Sequence, residues 1–111
     1  MRAEKEILKN HKGNIYVIVL EFKEYCDDIY GWEEYPAVSI FVQESDGSFK
    51  FLSSPVLFSS FVKNVCLSAV IFRRHPNVPK EVHNTAMSMI SYLISKYGIQ
   101  EWEISKHPCF S

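Results

Sequence analysis

Five carboxylates fall within twelve consecutive residues, Glu24-Tyr-Cys-Asp-Asp-Ile-Tyr-Gly-Trp-Glu-Glu-Tyr35, together with four aromatic rings and no base. The rest of the chain carries eight acids against twelve Lys and Arg, so it is basic while this one segment is strongly acidic. That combination suits recognition better than reaction: rings supply rigid contact area, and carboxylates supply charge complementarity to a basic surface. Asp27, Asp28, Glu33 and Glu34 are expected to engage lysines or arginines of a partner, with Tyr25, Tyr30, Trp32 and Tyr35 as anchors. The competing interpretation is a solvated loop whose rings fold back over a sheet edge. Uncompensated carboxylates gain nothing from such packing, which favours recognition. Calcium binding is disfavoured, because the spacing matches no EF-hand loop and no glycine stands at the required turn.

Other reactive side chains form no comparable group. Arg73-Arg74-His75 precedes a helix expected to open at Pro79, where free backbone N–H groups and a guanidinium would suit a phosphate. A solvated strand end explains the same basic pair. Two of the four histidines, His11, His75, His83 and His107, would be needed for acid–base cleavage of RNA, and no spacing brings a pair together. No CxxC or HxxxH pattern exists to hold zinc. Cys66 lies among apolar residues as a small core side chain. Cys26 lies among Glu24, Asp27 and Asp28, whose negative field suppresses its thiolate and makes it a poor nucleophile. No G-x-S-x-G elbow surrounds any serine, and none of the four glycines lies in a phosphate-cradling loop. No catalytic residue, metal or cofactor is expected.

These residues must be positioned by a single domain, since the chain has 111 residues, 47% of them hydrophobic. That size buries one real core without staples. A net charge of −1 argues against a nucleic-acid coat protein, and no direct nucleic-acid binding is expected. The amino terminus is charged and lacks the apolar stretch of a secretory signal, and no apolar run is long enough to span a bilayer. Three cysteines without close spacing, Cys26, Cys66 and Cys109, fit reduced thiols. A soluble, cytoplasmic protein is the expectation.

Along the chain, residues 2–9 read as a short helix and residues 10–14, with Gly13, as a turn. Residues 14–23 are β-branched and aromatic on both faces, as in a central strand. The acidic aromatic segment follows as a loop of about a dozen residues, a length disproportionately associated with function. Residues 36–43 and 48–52 form a hairpin about Asp46-Gly47. Ser54-Pro55 opens a predicted helix over about 55–66, with Leu57, Phe58, Phe61, Val62 and Val65 on one face. It passes into a fourth strand ending at Arg73-Arg74, the alternative being a single long helix to about residue 73. Pro79 opens the clearest helix, whose stripe is Val82, Ala86, Met89, Ile90, Leu93 and Tyr97, and Gly98 stops it. Residues 99–104 alternate as a final, edge strand, and 105–111 are a loose tail.

The pattern predicts an α+β fold, a mainly antiparallel sheet of four or five strands with two main helices on one face. The leading functional expectation is a protein-binding inhibitor of the kind an immunity protein or antitoxin represents. It would neutralise a basic, nuclease-type toxin by plugging its cationic groove. One alternative is a small phosphate- or nucleotide-handling enzyme using Arg73, Arg74 and His75, with His83 in support. Another is a self-associating structural protein whose aromatic loop packs on a neighbouring copy.

Overall fold

The computed structural model describes the backbone of residues 2–27, 31–62, 65–99 and 101–104, and the side chains of residues 3–24, 35–58, 65 and 67–99. Two adjacent residues with positive φ, Lys12 at 51° and Gly13 at 82°, reverse the chain between His11 and Asn14. A two-residue hairpin turn of this hand needs φ above zero at both central positions. It joins strand β1 (Arg2–His11) to strand β2 (Asn14–Asp27). Residues 2–9 are therefore an edge strand, not the expected helix. The cause is tertiary. β2 is apolar on both faces, and β1 satisfies its outer row of backbone groups in a register from Arg2↔Phe22 to His11↔Asn14, with one shift between Ala3 and Lys5.

Strand β3 (Gly31–Gln43) pairs with β2 from Tyr16↔Val42 to Asp27↔Gly31. The Asp46-Gly47 turn forms as expected. Gly47 takes a φ of 88°, the Glu44 N–H donates to the Ser48 carbonyl at 2.7 Å, and the Ser48 N–H donates to Asp46 Oδ1 at 2.9 Å.

The helix expected over 55–66 is not formed among the described residues. Residues 55–62 belong to strand β4 (Phe49–Val62), and residues 65 and 66 to strand β5 (Val65–Ile71). In β4 Val56 and Phe58 are buried while Leu57 between them is only half-buried, a period of two and not of 3.6. Pro55 lies where the β3–β4 register shifts between Val38 and Ile40, and a bulge is where a sheet tolerates proline. Its carbonyl accepts the Phe72 N–H at 2.8 Å. A helix here would have left the second edge of β3 unpaired.

Helix α1 (Lys80–Tyr97) follows Pro79, and Gly98 closes it at φ 69°, donating its N–H to the Ile94 carbonyl at 3.0 Å. Val82, Ala86, Met89 and Leu93 are buried along its inner face, as the stripe predicts. They meet Ile18, Leu20, Val38, Ile40 and Val56 from the sheet. The chain then returns to strand β6 (Glu101–Ile104), which lies parallel to β5. The sheet runs β1-β2-β3-β4-β5-β6, five strands antiparallel in chain order and the short sixth parallel. The fold is thus α+β, with one helix among the described residues where two were expected. That helix is not long and apolar enough to cross a membrane. The tail, 105–111, lies outside the described residues.

Candidate functional site

The acidic aromatic segment is not a loop for most of its length. Glu24 to Asp27 complete β2, and Gly31 to Tyr35 begin β3, so the segment forms the far end of the β2–β3 hairpin. The strand pattern of residues 14–23 simply continues, because Tyr, Cys and Trp suit a strand as well as Val and Ile do. Among the described side chains, the last large buried ring along this hairpin is Phe22, which meets Tyr97 of α1 edge to face at 5.9 Å. Pro36 opposite it is also buried. Beyond this pair Lys23 is half-buried and Glu24 exposed.

Register then decides the electrostatics. Glu24 pairs with Glu34, Tyr25 with Glu33, Cys26 with Trp32 and Asp27 with Gly31. Two carboxylate residues directly opposite each other on adjacent strands are destabilising. Glu24 has no ion-pair partner among the described residues. The structure thus brings Asp27, Trp32, Glu33, Glu34 and Tyr35 onto one two-stranded segment, while Asp28 and Tyr30 lie outside the described residues.

The second group of candidates builds its own turn. Arg74 Nη1 donates to the Val78 carbonyl at 2.8 Å, and the Asn77 N–H donates to His75 Nδ1 at 3.0 Å. Arg73 is exposed. His83 is half-buried, and burial, followed by the Arg74 charge, pushes its ring below the ordinary histidine range. His11 is drawn elsewhere, with its Nδ1 3.3 Å from Glu81 Oε2. His107 lies outside the described residues. Among the described residues no three His, Cys, Asp or Glu side chains converge as metal ligands would.

Two polar groups escaped the sequence reading. Glu4 of β1 accepts hydrogen bonds from Lys96 Nζ at 2.7 Å, Tyr97 at 2.7 Å and Tyr92 at 3.2 Å, tying the first strand to the last turns of α1. On the sheet face away from the helix, buried Glu21 accepts from Ser39 Oγ at 3.0 Å, and Ser39 lies 2.8 Å from Ser54 Oγ. The second group had a signal: Glu21 and Ser39 each interrupt an apolar strand at mid-length. Comparison with protein-family models, curated proteins and solved structures finds no match to this chain.

Proposed function

We propose that this protein is a binding module that captures and neutralises a basic protein partner through the far end of the β2–β3 hairpin. Asp27, Asp28, Glu33 and Glu34 supply the charge, and Tyr30, Trp32 and Tyr35 supply the contact area. An immunity protein or antitoxin directed at a nuclease-type toxin fits this chemistry, since such a toxin must carry a cationic substrate groove. The carrying observation is the Glu24↔Glu34 register beyond the buried Phe22, with Glu24 exposed and lacking an ionic partner among the described residues. Like charges set against each other there are a cost to the fold, and a cationic partner would relieve it. Neutralisation in the cytoplasm, without a cofactor and without chemistry by this chain, is part of the reading.

The test is affinity capture from the native lysate, with Asp27→Asn, Asp28→Asn, Glu33→Gln and Glu34→Gln combined as the control. A basic protein should be retained by the native chain and lost with the control. Its affinity, measured by calorimetry, should weaken steeply as salt rises from low to physiological strength. A partner held equally by both chains, or one indifferent to salt, would remove the assignment.

A further inference from the structure

Alternation along β2 places Tyr16, Ile18 and Leu20 under the helix and Val17, Val19 and Glu21 on the opposite face of the sheet. No helix among the described residues covers that second face, yet Val17, Val19 and Glu21 are only 8, 6 and 5% exposed. They border a cavity of about 450 Å³, walled by Leu8, Phe41 and Phe49 and flanked by Glu6. Leu8 and Phe49 are 71% and 50% exposed, so apolar walls stand in water around a partly enclosed floor. A volume of this size suits a small organic molecule.

The charges select among such molecules. Glu6 stands opposite Val19 across the β1–β2 ladder, two positions along the face from Glu21. Diagonal neighbours of this kind lie about 7–8 Å apart, a span a single ammonium group can bridge. Glu21 is already part-compensated, since its Oε1 accepts from Ser39 and lies 3.7 Å from Lys23 Nζ. Glu6 has no ionic partner among the described residues. Two carboxylates and one lysine leave the site one negative charge in excess. A hydrocarbon without a cation would desolvate these carboxylates and return nothing, and an anion would be repelled.

We propose that this cavity binds a small apolar amine. Its hydrocarbon lies along Val17, Val19, Phe41 and Phe49, and its ammonium group sits between Glu6 and Glu21. The site lies along the middle of β2, at residues 17–21, whereas the acidic hairpin end begins at Glu24, and neither assignment depends on the other.

Octylammonium, octanol and octanoate are matched probes of one chain length and three charges. Calorimetric titration of the full chain at neutral pH should show saturable octylammonium binding, at least about tenfold tighter than octanol, with octanoate weakest. Glu6→Gln, an exposed substitution that leaves the core intact, should erase about tenfold of the octylammonium affinity and leave octanol unchanged. Glu21→Gln, whose amide oxygen can still accept from Ser39, should do the same. Equal binding of octanol and octylammonium, absence of saturable octylammonium binding, or an unaltered affinity in Glu6→Gln would overturn the proposal. So would a concentration-dependent dimer, seen by sedimentation and abolished by Leu8→Glu, because a second copy would then occupy this face.

Discussion

Glu4 shows how much one side chain can hold when the chain brings donors to it from a distance. Burial alone would raise its pKa, but the Lys96 and Tyr97 hydrogen bonds outweigh burial and hold the carboxyl below its ordinary value near 4.5. A carboxylate lowered in the folded state contributes stability above its unfolded pKa, and loses it as pH falls through the folded value. Glu4→Gln should therefore cost about 1–2 kcal/mol at pH 7, in the range of charge-assisted hydrogen bonds. The gap from the native chain should close once both are studied well below pH 4. Urea unfolding at the two pH values measures it, and an undiminished gap at acid pH would refute the charge-based account. His83 has a parallel dependence from a different cause. Burial first, and the Arg74 charge second, disfavour its protonated ring in the folded state. The unfolded chain then takes up a proton more readily, so stability falls as pH drops through the ordinary value of 6.5. His83→Gln should flatten that part of the stability profile between about pH 7 and 5, as thermal melts would record. Neither environment is legible in a linear string, because Glu4 meets Lys96 and Tyr97, and His83 feels Arg74, only after folding.

At the scale of elements, what could be read depended on whether local signals and tertiary demands agreed. α1 carries its own start, stripe and stop in Pro79, Val82 to Leu93 and Gly98, and its packing agrees with them. The Asp46-Gly47 hairpin is equally local. β4 is the opposite case. Ser54-Pro55 imitates a helix start, and the short apolar run Val56-Leu57-Phe58 fits both the 3.6 and the two-residue period. Two sequence-distant needs decide the matter: β3 lacks a partner on one side, and Ser39 needs the Ser54 hydroxyl. The two readings separate at adjacent residues. A helix of the predicted face would bury Leu57 and Phe58 together, whereas the strand buries Phe58 to 3% exposure and leaves Leu57 half-buried. Phe58→Ala should cost about 3–5 kcal/mol as a core truncation. Leu57→Ala should fall well short of the 2–5 kcal/mol range of fully buried leucines. Equal losses in chemical denaturation would contradict the strand assignment. Residues 2–9 failed for the same reason. Their helix-forming composition is a weak preference, and the open edge of β2 outweighs it.

At the scale of the whole molecule, strand and helix lengths decide how much of the sheet the helix can cover. β2 and β4 each run fourteen residues, about 45 Å when extended, in a molecule 44 Å along its longest axis. α1 is eighteen residues, about 27 Å, so it cannot cover the full length of these strands. A hairpin end beyond the helix follows from that mismatch of rise per residue, and the sequence places its acidic and aromatic residues there. The composition of the candidate site was thus legible, while its form, two paired strands for most of its length in place of a loop, was not. The sequence also concealed the register that sets Glu24 against Glu34. If these carboxylates serve recognition, they are neutral or harmful to stability, as residues kept for function often are. The combined Asp27→Asn, Asp28→Asn, Glu33→Gln and Glu34→Gln chain should therefore melt at the native temperature or a few degrees above it, since cross-strand repulsion is worth about 0.2–1 kcal/mol. The same chain should lose at least about tenfold in affinity for a basic partner. A melting temperature lowered by several degrees would mean that the carboxylates hold the hairpin together. Their clustering would then be architecture, and the case for recognition at this end of the molecule would fall with it.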